Sequence, residues 1–228
     1  MSASMIVDAP SLSSAPHAQS QGKPRHSLFV ICEDARGRRY RSRLAVIDVA
    51  TEPGDHSVAL TTAHGVRGRD TCHVHDDTGR QRRVRAKAFG PDPAEDWAVI
   101  RFKDFPEGTA HAYALAPQAV PDTAEFSWGR GLLANERSCH LSTHTEERTP
   151  GSVTTLHLHD CLSQRGQSGT PLTRGTPSGP LLIGLHTGQA HFLGVTEERP
   201  ERRYSLYLPM TPERVDAIRR AAETLADD

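Results

Sequence analysis

From Ser27 onward, apolar and polar positions fall into short β-type runs: SLFVIC, YRSRLAVIDV, SVALTT, RVRAKAF and DWAVIRF. Clusters of Gly, Pro and Asp separate them at intervals of about a dozen residues, the texture of an antiparallel sandwich or barrel. Residues 103–124 lack either periodicity and carry Pro106, Gly108, Pro117 and Pro121, which suits a connector between two lobes. Strand-like runs resume with GLLAN, SVTTLHLH, PLLIGLHTG and RRYSLYL, so the second half repeats the first. The C-terminus changes period. Thr211 and Pro212 offer a cap and a first helical residue, and Val215, Ile218, Ala222 and Leu225 fall on one stripe, predicting an amphipathic helix against the second lobe. Residues 1–26, dominated by Ser, Ala, Pro, Gln and Gly, read as a flexible arm.

At 228 residues with 36% apolar composition the chain can bury a core without disulfide staples. Its 27 basic and 28 acidic residues nearly cancel, which argues against charge-driven binding of nucleic acid. No apolar run reaches bilayer length and no export signal is visible at the start, so a cytoplasmic protein without membrane partners is expected. On that reading Cys32, Cys72, Cys139 and Cys161 are reduced thiols. A metal is the other use for them: Cys72-His73-x-His75, Cys139-His140 and His157-x-His159-x-Cys161 each carry ligand types. The last set has alternate strand residues on one face, as a zinc-stabilised β domain would.

Three segments carry reactive side chains: LTTAHGV at 60–66, EDWAVIRF at 95–102 and RGQSGTPL at 165–172. Singly, each reads as a turn, a surface histidine or a capping acid. Together they supply a nucleophile, a base for it, and an acid to orient the base. Their order and local sequence resemble the chymotrypsin-like (trypsin-like) serine peptidases over residues 27–210. Thr62-Ala63-His64 resembles the family's histidine segment, Asp96 its Asp-x-Ala segment, and Gly166 to Pro171 its Gly-x-Ser-Gly-x-Pro loop.

The resemblance implies an all-β fold of two antiparallel β-barrels, residues 27–110 and 111–210, with a C-terminal helix and tail at 211–228. It implies catalytic His64, Asp96 and Ser168, an oxyanion hole from the N–H groups of Gly166 and Ser168, and no cofactor or metal. A protein or peptide substrate follows, and control falls to substrate choice or a separate regulatory partner. Gln167 stands where activated family members have an Asp for a new N-terminal amine, and Gly65 replaces a customary cysteine. Leu162 occupies the usual place of the pocket Asp, though Asp160 lies two residues earlier. His186, in Gly-Leu-His-Thr-Gly, resembles the pocket histidine of glutamyl endopeptidases and 3C-like proteases. With Ser163 and Thr187 beside it, cleavage after Glu or Gln is expected, Glu being favoured by a protonated ring. The opposing reading of His186 is a packed, hydrogen-bonded strand residue, and of the whole chain a silent domain that binds a peptide in its cleft.

Overall fold

A computed structural model describes residues 28–49, 56–92, 95–105, 112–115, 121–128, 135–149, 152–192 and 202–226. The expected arm and most of the GLLAN run lie outside the described residues. The first half contains β1 (Phe29–Glu33), β2 (Arg39–Arg43), β3 (Ala45–Asp48), β4 (His56–Thr61), the one-turn α1 (Ala63–Val66), β5 (Thr71–His75), β6 (Gln81–Phe89) and β7 (Ala98–Lys103). After β8 (Tyr113–Leu115) come β9 (Thr123–Trp128), β10 (Asn135–Thr149), β11 (Ser152–His159), β12 (Pro171–Thr176), β13 (Gly179–Phe192), β14 (Arg202–Pro209) and α2 (Pro212–Ala226).

These strands correct the expectation of two separate antiparallel barrels. They hydrogen-bond into one mixed 14-stranded sheet, ordered β12-β9-β10-β11-β14-β13-β8-β3-β4-β7-β6-β5-β1-β2, with β12 also pairing β13. The cause lies in the connector. Its three-residue β8 runs parallel to β3 on one side, with Ile47 opposite Tyr113, and parallel to β13 on the other, with Leu181 opposite Ala114. A strand that short contains too little alternation to be read from sequence.

The helix stripe is where the spacing put it, since Val215, Ile218, Ala222 and Leu225 are all buried. Its partners differ from expectation. The stripe joins Val58, Leu60, Trp97 and Val99 of the first half to Leu182, Leu185 and Met210 of the second in one apolar cluster. Burying each large aliphatic side chain there contributes roughly 1.5–3 kcal/mol. Arg101 donates to the Leu225 carbonyl at 2.8 Å and Arg219 to that of Leu115, so α2 is also bound through β7 and β8.

The reduced-thiol expectation is also corrected. Cys32–Cys72 bridges β1 to β5, where the two residues face each other in register, and Cys139–Cys161 bridges β10 to the segment after β11. Disulfides persist in oxidising surroundings, which does not fit the cytoplasmic location from which reduced thiols were expected. No helix among the described residues is long and apolar enough to cross a membrane.

Candidate active site

Strands β4 and β7 pair antiparallel with Thr61 opposite Ala98. His64 lies three residues beyond that pair and Asp96 two residues before it, so the register alone brings them to the same edge. The Asp96 carboxylate then holds His64 twice: Oδ1 accepts from the backbone N–H at 2.8 Å and Oδ2 lies 2.7 Å from Nδ1. An Nδ1–H donated to Asp96 would leave Nε2 with its lone pair. Both side chains reach solvent, His64 at 51% and Asp96 at 26% exposure, so a substrate can approach them. Gly65 follows the histidine because space demands it: a Cβ there would run into the Ser42 side chain.

Asp96 is flanked by two fixed residues. Glu95 receives a two-pronged guanidinium from Arg214 of α2, Nε to Oε2 at 2.7 Å and Nη2 to Oε1 at 2.6 Å. The indole of Trp97, almost wholly buried, donates to the same Oε2 at 3.0 Å. The Arg214 fork, aided by Trp97 and opposed by partial burial, holds the Glu95 carboxyl below its ordinary range. This clamp has no signature in the sequence, because its partners are 119 residues apart.

Ser168 sits in the loop between β11 and β12, half-buried. A tight turn precedes it, where the backbone N–H of Gln164 donates to Gln167 Oε1 at 2.5 Å and Gln167 N to the Gln164 carbonyl at 3.2 Å. Gln167 is thus a structural brace within its own loop. Gly169 N donates to the His186 carbonyl at 2.8 Å and His186 N to that of Thr170 at 2.9 Å, tying the loop to β13. On the opposite side, Arg43 N donates to the Ser168 carbonyl at 2.7 Å, while Thr61 Oγ1 donates to the Arg43 carbonyl at 2.8 Å. The serine's backbone is thereby connected, through Arg43, to Thr61 at the end of β4, three residues before His64. Gly166 and Gly169 both have φ of +84°, a region open to glycine.

The four expected pocket residues are placed differently from one another. Leu162 is 65% exposed, whereas Ser163 is buried and its Oγ meets Ser205 Oγ at 2.9 Å and Gln189 Nε2 at 3.2 Å. Thr187 is half-buried. His186 is 2% exposed, lies edge-on to Phe126, and has Nδ1 3.1 Å from Nε2 of the buried His159. Burial pushes its pKa down to about 4, against a hydrogen bond to the Leu206 backbone that works upward; charge on His64 lowers it further. The packed reading therefore accounts for its surroundings. Asp160, the alternative acid, binds His140 instead, at 2.8 Å to the backbone N–H and 3.1 Å to Nδ1.

No protein-family model and no curated protein sequence matches the chain. Solved structures do match it in shape. A thermostable serine protease, AL20, from an extremophilic microorganism aligns over 88% of this chain and 97% of its own, with a TM-score of 0.60 at 14% identity. Protease Anisep from Arthrobacter nicotinovorans aligns over 90% and 96%, with a TM-score of 0.59 at 10% identity. HL collagenase aligns over 87% and 94%, with a TM-score of 0.57 at 16% identity. With coverage nearly complete on both sides and identity this low, the likeness is one of fold, and the chain adopts the serine-protease fold.

Proposed function

We propose that the chain is a serine endopeptidase that hydrolyses peptide bonds through His64, Asp96 and Ser168. The observation that carries this reading is the double grip of Asp96 on His64, which fixes both the place and the tautomer of the ring. In the proposed cycle Ser168 Oγ attacks the scissile carbonyl as His64 Nε2 takes its proton, and Asp96 stabilises the imidazolium. The N–H groups of Gly166 and Ser168 receive the oxyanion, a contribution of about 10²–10³ in turnover per donor. His64 returns the proton to the leaving amine, and water then releases the acyl group from Ser168 by the same steps.

The test is covalent labelling with a fluorophosphonate probe, read by intact mass. One adduct per folded chain is expected, mapped to Ser168, absent in Ser168→Ala and strongly slowed in His64→Ala. Failure of the folded chain to react would leave a peptide-binding cleft without turnover, and undiminished labelling of Ser168→Ala would remove the serine assignment.

The proposed preference for Glu or Gln before the scissile bond rests on the resemblance of the Gly-Leu-His-Thr-Gly segment around His186 to the pocket of glutamyl endopeptidases and 3C-like proteases. A His186 that titrates near 4 stays neutral in the ordinary working range, so it gives Glu no electrostatic advantage over Gln there. The Glu-to-Gln ratio in a peptide library is expected to be flat between about pH 6 and 8. A ratio that climbs steeply on acidification within that range would contradict a neutral ring, and a profile dominated by Arg or Lys would exclude the preference.

A further inference from the structure

We propose that Cys139, His159 and Cys161 constitute a redox-controlled zinc site, closed as a disulfide when oxidised and open to one Zn²⁺ when reduced. His159 is the last residue of β11 and Cys161 follows two positions later in the segment after it; Cys139 comes from the neighbouring β10. The two sulfurs and one His159 ring nitrogen lie within 4.8 Å of one another, and all three residues are buried. Among the described residues this is the one group of three metal-ligating side chains so placed, and the Cys32–Cys72 pair has no third ligand of that kind.

The histidine points to a ligand independently. His159 is 0% exposed, its Nε2 is engaged by His186, and its Nδ1 has no hydrogen-bond partner. A proton on Nε2 given to His186 leaves Nδ1 with its lone pair, the arrangement in which a second imidazole fixes the tautomer of a metal-binding one. Two more buried atoms nearby lack partners, Nδ1 of His157 and the Tyr207 hydroxyl. Tyr207 lies 5.6 Å from His157 and 6.3 Å from His159 between ring centroids.

Charge and distance also fit. Two thiolates and a neutral imidazole cancel a dication, so the buried complex leaves no net charge to solvate. Tetrahedral Zn–S bonds of about 2.3 Å place sulfurs about 3.8 Å apart, within reach of cysteines whose Cα atoms are 5.3 Å apart. Opening the site takes two electrons. A phosphine reductant supplies them, cleaving the S–S bond to give two thiols, with water providing the oxygen of the phosphine oxide and the two protons. Zinc then displaces both thiol protons.

The full chain, reduced with a water-soluble phosphine under anaerobic conditions and freed of it, is titrated with Co²⁺ and then Zn²⁺. One equivalent of cobalt is expected to give thiolate charge-transfer and tetrahedral d–d bands, with zinc displacing it one for one. The bands should vanish in Cys139→Ser and Cys161→Ser, weaken more than about 10-fold in affinity in His159→Ala, and persist in the Cys32→Ser/Cys72→Ser chain. The disulfide-bonded chain should give none. In the unsubstituted reduced chain, zinc should protect Cys139 and Cys161, but not Cys32 and Cys72, from alkylation mapped by peptide mass. Absence of bands from the reduced chain, unchanged affinity in His159→Ala, or alkylation that zinc leaves uniform would each overturn the proposal.

Discussion

Replacing Arg214 by Ala removes two charge-assisted hydrogen bonds from Glu95, the residue immediately before Asp96. Bonds to charged groups contribute about 1.5–3 kcal/mol each when well shielded. Here the arginine side chain is 12% exposed and the glutamate 31%, so solvent screens part of that sum and a net loss of about 2 kcal/mol is expected. For a chain of this length that lowers the thermal midpoint by about 4–8 °C. The effect should depend on pH in a definite direction. Because the Glu95 carboxyl is held below its ordinary value, the pair contributes fully above about pH 4.3 and loses its contribution as pH falls through the depressed value. Melting curves of the parent and Arg214→Ala, with Glu95→Gln completing a double-mutant cycle, should therefore show the gap at pH 7 and its closure in acid. A gap that is absent at pH 7, or that does not shrink on acidification while the fold stays intact, would refute the argument. On the proposed triad, loosening this flank should also lower kcat more than it raises KM, because Asp96 would orient the base.

Gly169 and Gly166 share the same φ but not the same space. Gly169→Ala should cost several kcal/mol in urea unfolding, because its Cβ meets the Arg43 carbonyl and Thr61, whereas Gly166→Ala should cost only the conformational strain of about 1–2 kcal/mol. Equal losses would contradict the difference in packing. Removing Cys32–Cys72 with paired serines frees a closure of 40 residues, with an expected loss of about 3–4 kcal/mol by the chain-entropy relation; a change under about 1 kcal/mol would assign that staple no role in stability.

Much of the pattern is legible because β4 and β7 are short, continuous apolar runs and α2 carries its buried residues at helical spacing. TCHVH of β5 and NERSCHLSTHTEERT of β10 are less legible, since histidines, threonines and glutamates fill most of their positions and the buried Cys72, Val74 and Cys139 are too few to set a period. The meeting of His64 with Asp96 could be anticipated from a resemblance. The brace of Gln167, the hold of Arg43 on Ser168 and the fork from Arg214 could not, because backbone donors leave no trace in sequence and the fork spans 119 residues. The disulfides were missed for a related reason: Cys32 and Cys72 become neighbours only through the β1–β5 register.

Each covalent staple lies within its own half of the chain, while β8 joins the halves through short parallel ladders on either side. Those ladders link positions 66 or 67 residues apart, so their closure entropy is large and their formation late compared with the hairpins they connect. A seam of two register pairs on each side is expected to open before the longer ladders around it. Backbone amides of β8 should exchange with deuterium well before those at the β4–β7 pairing, and the rate of that opening sets an upper bound on how quickly the Ser168 loop can move relative to His64 through sliding of the two halves.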